Sequence, residues 1–231
     1  MEVGMEIHQE SLETYKFISD WIDPKFPYSR KDVWHRMGMV GVFADFVCSC
    51  TAGAILEIGV GESSIYLTQV SKKYDRKIIH CDVAPGKILN PLTVPGYLSE
   101  DNAVITKESM NGKDSRCTIF IGDSDDLFKY VKIPDLALSF IDGDHNYSQV
   151  KKDFYNAFNC TVENGYILLH DTYPPDETYL GDSRCGTVYQ LRQELAGFPW
   201  LDMITLPRGT AMGVGLTIIR KKPAHVPEYQ R

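Results

Sequence analysis

Two apolar runs, Leu136–Ile141 and Tyr166–Leu169, each end in a cluster of ionisable side chains: Asp142, Asp144 and His145 after the first, His170 and Asp171 after the second. Between them Val150, Phe154, Ala157, Phe158 and Val162 recur at helical spacing. Asn164-Gly165 then supplies a turn that stops the helix. The pattern predicts strand, crossover helix and strand, a parallel βαβ unit. Both ionisable clusters then fall at the carboxyl ends of adjacent buried strands, the edge at which open α/β sheets bind ligands.

The same reading extends along the chain. Leu12, Tyr15, Ile18 and Ile22 space as a short amphipathic helix ending at Pro24, and a strongly apolar helix is predicted over 29–50, with Ser29 as its N-cap. A strand at Ala54–Ile58 leads through Gly59-Val60-Gly61-Glu62-Ser63-Ser64 into a helix at Ile65–Lys73. A second strand, Lys77–Cys81, ends at Asp82. Residues 84–116 carry Pro85, Gly86, Pro91, Pro95 and Gly96 and predict a long irregular segment, a lid or a binding loop. A third strand, Thr118–Ile121, ends in Gly122-Asp123-Ser124 and precedes a helix at Asp125–Val131. Beyond Asp171, the irregular stretch Thr172–Gly186 begins at the ligand-binding edge and is the candidate substrate-recognition loop. A helix at Thr187–Ala196 follows. The strands Met203–Leu206 and Val214–Arg220, joined by a short turn around Arg208-Gly209, predict an antiparallel hairpin at the sheet edge. The fold class is α/β: a doubly wound, mostly parallel, seven-stranded sheet with a C-terminal antiparallel hairpin. Its parts are an N-terminal extension (1–28), one domain (29–222) and a polar tail (223–231).

Composition adds exclusions. The chain has 231 residues, 43% of them hydrophobic and 24% charged, which suits one globular α/β domain. The formal charge of −7, without a basic stripe, argues against a nucleic-acid partner. The longest apolar candidate, Met37–Cys50, is interrupted by Asp45, so it predicts a buried helix and no membrane span. The acidic N-terminus has no basic stretch followed by an apolar one, so no signal peptide is expected. Six cysteines, among them Cys48-Ser49-Cys50 with no second pair to complete a metal motif, read as reduced thiols of a cytoplasmic protein.

A glycine-rich turn between a buried strand and a helix lets backbone approach a ligand closely. A tight turn without a ligand would use the same Gly59 and Gly61. Asp82, 25 positions after Glu57, stands where an acidic residue accepts hydrogen bonds from ribose hydroxyls, and an exposed strand-end acid is the plainer alternative. Together the two features point to a bound nucleoside.

Acidic residues after each of the first four predicted strands, with the hairpin at the end, resemble the class I S-adenosylmethionine-dependent methyltransferases, whose sheet is Rossmann-like. Within that class IDGDHNYSQVKKDF and NGYILLHDT resemble the methyltransferase 24 group, related to macrocin-type and catechol-type O-methyltransferases. The resemblance covers roughly residues 30–222. It implies that Glu57, Gly59, Gly61 and Ser63 hold the methionine portion of S-adenosyl-L-methionine, that Asp82 binds its ribose, and that Asp123 and Ser124 lie beside its adenine. It places Asp142 near the sulfonium and His145 where the catechol enzymes carry a catalytic lysine base. Asp142, His170 and Asp171 match the metal ligands of metal-dependent relatives, which have Asp in place of His170 and Asn in place of Asp171. His170 is the departure, because Mg²⁺ prefers oxygen donors whereas imidazole suits Mn²⁺, Fe²⁺ or Zn²⁺.

The expected activity is transfer of a methyl group to a hydroxyl of a small molecule, with S-adenosyl-L-methionine and a divalent metal, Mg²⁺ or Mn²⁺, as cofactors. The expectation carries alternatives: a metal-free N-methyltransferase, or a binding protein without chemistry. His145 suits a general base or a loop-holding residue that caps the next helix or bonds a carbonyl. His170-Asp171 suits a metal or the anchoring of the following loop. Asp144 reads as a helix N-terminal acid. The apolar helix at 29–50 offers a face to a second subunit, which would make a homodimer.

Overall fold

The computed structural model of the protein describes residues 37–83, 104–106, 116–181, 184–207 and 214–223. The predicted helix at 12–22, the start of the apolar helix and most of the 84–116 segment lie outside the described residues, as does most of the tail.

The elements follow in order as α1 (Gly38–Cys50), β1 (Ala54–Ile58), α2 (Ser63–Lys73), β2 (Ile78–Asp82), β3 (Val104–Thr106), β4 (Cys117–Ile121), α3 (Ser124–Tyr130) and β5 (Leu136–Ile141). Then come α4 (Tyr147–Cys160), β6 (Thr161–His170), a 3₁₀ turn (Glu177–Tyr179), α5 (Val188–Leu195), β7 (Leu201–Leu206) and β8 (Leu216–Lys221). One sheet is ordered β3-β4-β2-β1-β5-β6-β8-β7. The first six strands run parallel, and β8 lies antiparallel between β6 and β7. The seven predicted strands are all present. An eighth, β3, pairs in parallel with β4 at the edge, inside the segment predicted to be irregular. Three residues between Pro- and Gly-rich stretches give no alternation to read, and pairing with β4 supplies what local pattern does not.

The strands at the centre are buried on both faces, as parallel sheets require. Alternate residues feed two cores. Leu56 and Ile58 join Leu127, Val150, Phe154, Ala157, Val188 and Leu191 of α3, α4 and α5 on one face. Ile55, Ile78 and Phe140 join Val40, Ala44, Val47, Leu67 and Val70 of α1 and α2 on the other. The doubly wound architecture follows from this division.

The end of α4 differs from expectation. The helix stops at Cys160, and Val162 and Asn164-Gly165 belong to β6. Thr161 already pairs with Leu136, and the register shifts before Leu138 meets Tyr166. Asn164 takes φ 61°, so the Asn-Gly pair is a bulge within the strand and not a helix stop. At the other end Asn146 caps α4, its side chain accepting the Ser148 amide.

Candidate active site

The carboxyl ends of β1, β2, β4, β5 and β6 surround one cleft of about 720 Å³. Its floor is the turn after β1. Gly59 has φ 87°, and a Cβ there would lie 2.0 Å from the Asp142 carbonyl oxygen. Only glycine lets the two turns touch at this point. The Gly59 amide donates to the Cys81 carbonyl, and the Asp142 amide to that of Ile58, locking the ends of β1, β2 and β5 together.

Glu57 and Ser63, expected at the cofactor, are not on the cleft wall. Glu57 is fully buried beneath the turn, where it accepts the Ser63 hydroxyl at 2.5 Å and meets His80 Nδ1 at 2.5 Å. The other ring nitrogen of His80 lies 3.1 Å from Thr68 Oγ1. Burial opposes protonation of His80, but hydrogen bonds to Cys117 and Glu57 and the Glu57 charge lift its pKa to about 9. The group braces β1, β2 and α2 from below. His80 was missed in the sequence, although a histidine inside the buried run Ile-Ile-His-Cys was a visible signal.

Gly59, Gly61 and Asp82 line the cleft together. Asp82 is 8% exposed, and its Oδ2 accepts the Val60 amide at 2.9 Å, which ties the acid to the glycine turn. Asp123 and Ser124 form the far wall after β4. Ser124 donates its hydroxyl to Asp153 Oδ1 at 2.6 Å, and the side-chain amide of Gln149 donates to Ser124 Oγ at 3.0 Å. Gln149 and Asp153 also line the cleft and were missed. An acid at position 153, within the apolar stripe of Val150, Phe154 and Ala157, was the signal for the second of them.

At the opposite end four ionisable side chains converge. His170 Nδ1 is 3.0 Å from Asp142 Oδ1 and 3.1 Å from Asp171 Oδ1. His145 Nε2 lies 3.4 Å from Asp142 Oδ1 and 3.5 Å from Asp171 Oδ2. Burial resists ionisation of Asp142, but the His170 charge and hydrogen bonds from both imidazoles hold its carboxyl down to about 2. Burial likewise opposes protonation of His170, and the two aspartates still lift it to about 10. The hydrogen bond to Asp142 raises His145 above its ordinary value.

His145 Nδ1–H donates to the Arg184 carbonyl, which fixes the ring and leaves Nε2 facing the carboxylates. The end of the Thr172–Gly186 loop clamps the same residue: the Thr187 amide donates to the His145 carbonyl at 2.8 Å. His145 therefore bonds a loop carbonyl and faces the site at once, and it does not cap α4. Asp144, expected as a helix N-terminal acid, lies two residues before the N-cap and outside the first turn of α4, where it accepts the Asn146 amide at 2.8 Å. Tyr173 and Tyr179 carry the guanidinium groups of Arg192 and Arg184 over their rings.

This arrangement can hold a nucleoside along β1, β2 and β4 and present its far end to a base beside two acids. A family model described as a methyltransferase domain, that of the methyltransferase 24 group, matches residues 56–172. The chain belongs to that family. Its methyltransferase domain contains every element that builds the cleft floor and the four-residue cluster. A search of curated proteins finds no match. Among solved structures the methyltransferase fold is similar to cofactor-bound Rv0187 from MTB, at 15% identity and TM-score 0.60, over 95% of this chain and 93% of that one. It is also similar to the O-methyltransferase TomG from Streptomyces achromogenes in complex with SAM, at 15% identity and TM-score 0.58, over 94% and 92%. A third likeness is to the O-methyltransferase from Bacillus cereus in complex with SAH, at 13% identity and TM-score 0.57, over 95% and 94%. At these identities the likeness establishes the shared fold.

The methyltransferase's Asp142, His170 and Asp171 each offer a donor atom within 4.8 Å of the others. His170 stands 3.0 and 3.1 Å from its two acids, so an imidazole nitrogen and two carboxylates would be the residues that hold an ion here. The donor set fits a divalent ion, and its imidazole fits Mn²⁺ better than Mg²⁺.

Proposed function

We propose that the protein transfers the methyl group of S-adenosyl-L-methionine to a hydroxyl of a small molecule, assisted by a divalent ion, Mn²⁺ in preference to Mg²⁺. One observation carries this reading: a cleft with the glycine turn and Asp82 along its floor ends at a fixed histidine that faces a donor trio. When bound, the cofactor supplies a sulfonium methyl that the acceptor oxygen attacks in line, the C–S electron pair leaving with sulfur. Gly59 and Gly61 give the backbone approach, and Asp82 accepts from the ribose diol. Asp142, at the charged end, favours the sulfonium electrostatically. In its neutral form His145 would take the acceptor's proton on Nε2, and the hydrogen bond to Asp142 that raises its pKa stabilises the imidazolium so formed. Asp142, His170 and Asp171 would hold the ion, which in such sites lowers a hydroxyl's pKa and orients it. The acidic net charge and the Thr172–Gly186 loop beside the cleft support a small-molecule acceptor over a nucleic acid. No helix among the described residues is long and apolar enough to cross a membrane, and the free cysteines suit a reducing cytoplasm.

The contacts of His170 with both aspartates also support a metal-free reading, in which an imidazolium stands where an ion would. Labelled methyl transfer to a panel of catechols, vicinal diols and amines, with EDTA or with Mn²⁺ or Mg²⁺ restored, separates the two. O-methylation that EDTA abolishes and Mn²⁺ restores is expected. Transfer indifferent to EDTA, or confined to amines, would replace the reading with its rival. His145→Ala is expected to lower turnover by about 10²-fold while leaving S-adenosylhomocysteine affinity unchanged.

A further inference from the structure

We propose that Gln149 reads the 6-amino group of the bound adenine through its side-chain oxygen, and that Asp153 is the positioning residue that fixes the amide in that orientation. The inference rests on the cofactor assigned above.

The cleft runs from the Asp142–His145 end, past Gly59 and Gly61, to Asp82 and then to Gly122–Asp125. With the sulfonium beside the base and the ribose at Asp82, the purine reaches the far wall. Gln149 and Asp153 of α4 stand there. Gln149 Nε2 has three neighbours: Ser124 Oγ at 3.0 Å, Asp153 Oδ1 at 3.1 Å and Asp125 Oδ1 at 3.3 Å. Two of these are carboxylate oxygens. The third, Ser124 Oγ, has its hydrogen committed to Asp153 and can only accept from Gln149. All three therefore require the amide nitrogen, and the assignment of nitrogen and oxygen follows from chemistry. That leaves Oε1 as the acceptor of a side chain that lines the cleft.

Asp153 is 1% exposed, and its Oδ2 has no hydrogen-bond partner among the described residues. A buried carboxylate with one unsatisfied oxygen is costly, and packing alone gives no reason to keep it. Its other oxygen supplies one, since Oδ1 accepts from both the Ser124 hydroxyl and the Gln149 amide and so fixes that amide. Burial pushes its pKa up to about 6, against the hydrogen bonds from Ser124 and Gln149.

Adenine presents a donor at its 6-position, whereas hypoxanthine presents an oxo group. An oriented acceptor satisfies the first and meets the second lone pair to lone pair. Sites built on such buried partners discriminate strongly, because the wrong ligand leaves a polar group unpaired.

The experiment is calorimetric titration of S-adenosylhomocysteine and its 6-oxo counterpart, S-inosylhomocysteine, into wild type, Gln149→Leu and Asp153→Asn. Circular dichroism confirms that each variant is folded. Wild type is expected to favour the adenine ligand by about tenfold or more. In Gln149→Leu the ratio falls to near one. In Asp153→Asn the new side chain can offer NH₂ as well as oxygen, so one of the three constraints on the amide nitrogen is relaxed and the ratio falls towards the 6-oxo ligand. Equal binding of the two ligands by wild type, or a preference that survives in folded Gln149→Leu, would overturn the assignment of Gln149. A uniform loss for both ligands in Asp153→Asn would make Asp153 structural only and overturn its part. Wild type that binds neither ligand would overturn the cofactor reading itself, a distinct result.

Discussion

Gly59 shows how closely the two functional turns are coupled. It has φ 87°, and any Cβ would strike the Asp142 backbone, which no flexible side chain can relieve. Gly59→Ala is expected to lower the stability of the fold by about 1–3 kcal/mol through strain and clash. The change would be read as a lower denaturant midpoint at unchanged slope. Displacement of the Asp142 turn would also weaken cofactor binding, so stability and affinity should fall together; an unchanged midpoint would show that the turns are not coupled as described. Single residues were the scale at which the sequence was most legible for Gly59, Gly61, Asp82, Asp142, His145, His170 and Asp171, because strand-end position alone brings them to one edge. Glu57 and Ser63 lie off the cleft wall for a physical reason. Glu57 lies within β1 beside strictly buried neighbours, so its side chain turns under the turn towards His80, not into the cleft.

Elements carry the next level of argument. The brace of Glu57, His80, Thr68 and Ser63 joins β1, β2 and α2, and it is ionised on the histidine side. His80 has its pKa raised from 6.5 to about 9 in the folded protein. A raised histidine stabilises the fold fully below its unfolded pKa and loses that contribution as pH rises through the folded value. Stability is therefore expected to decline between about pH 6.5 and 9, with His80→Gln flattening that part of the profile in urea titrations across the range. An identical slope in the variant would assign the decline to other groups. Element boundaries were less legible than element types. Val162 continues the helical stripe of α4 by spacing, yet β6 takes it, since pairing of Thr161 with Leu136 begins immediately after Cys160. β3 could not be read at all, being three residues that become a strand only against β4.

For the whole molecule, alternation of apolar runs and amphipathic segments sufficed to predict a doubly wound sheet closed by a hairpin, and that sheet is what places the cleft. What local pattern could not supply was the meeting of distant segments. Gln149 and Asp153 reach Ser124 across more than 20 positions, and Arg184 reaches His145 across 39. These contacts set the orientation of the candidate base and of the far wall. The central claim is that one S-adenosyl ligand lies along this cleft with its ribose on Asp82. Calorimetric titration of the protein with S-adenosylhomocysteine, beside Asp82→Ala, tests it most directly. The account predicts micromolar binding by wild type and a loss of at least tenfold in the folded variant. Absence of binding by wild type, or equal affinity in Asp82→Ala, would contradict it.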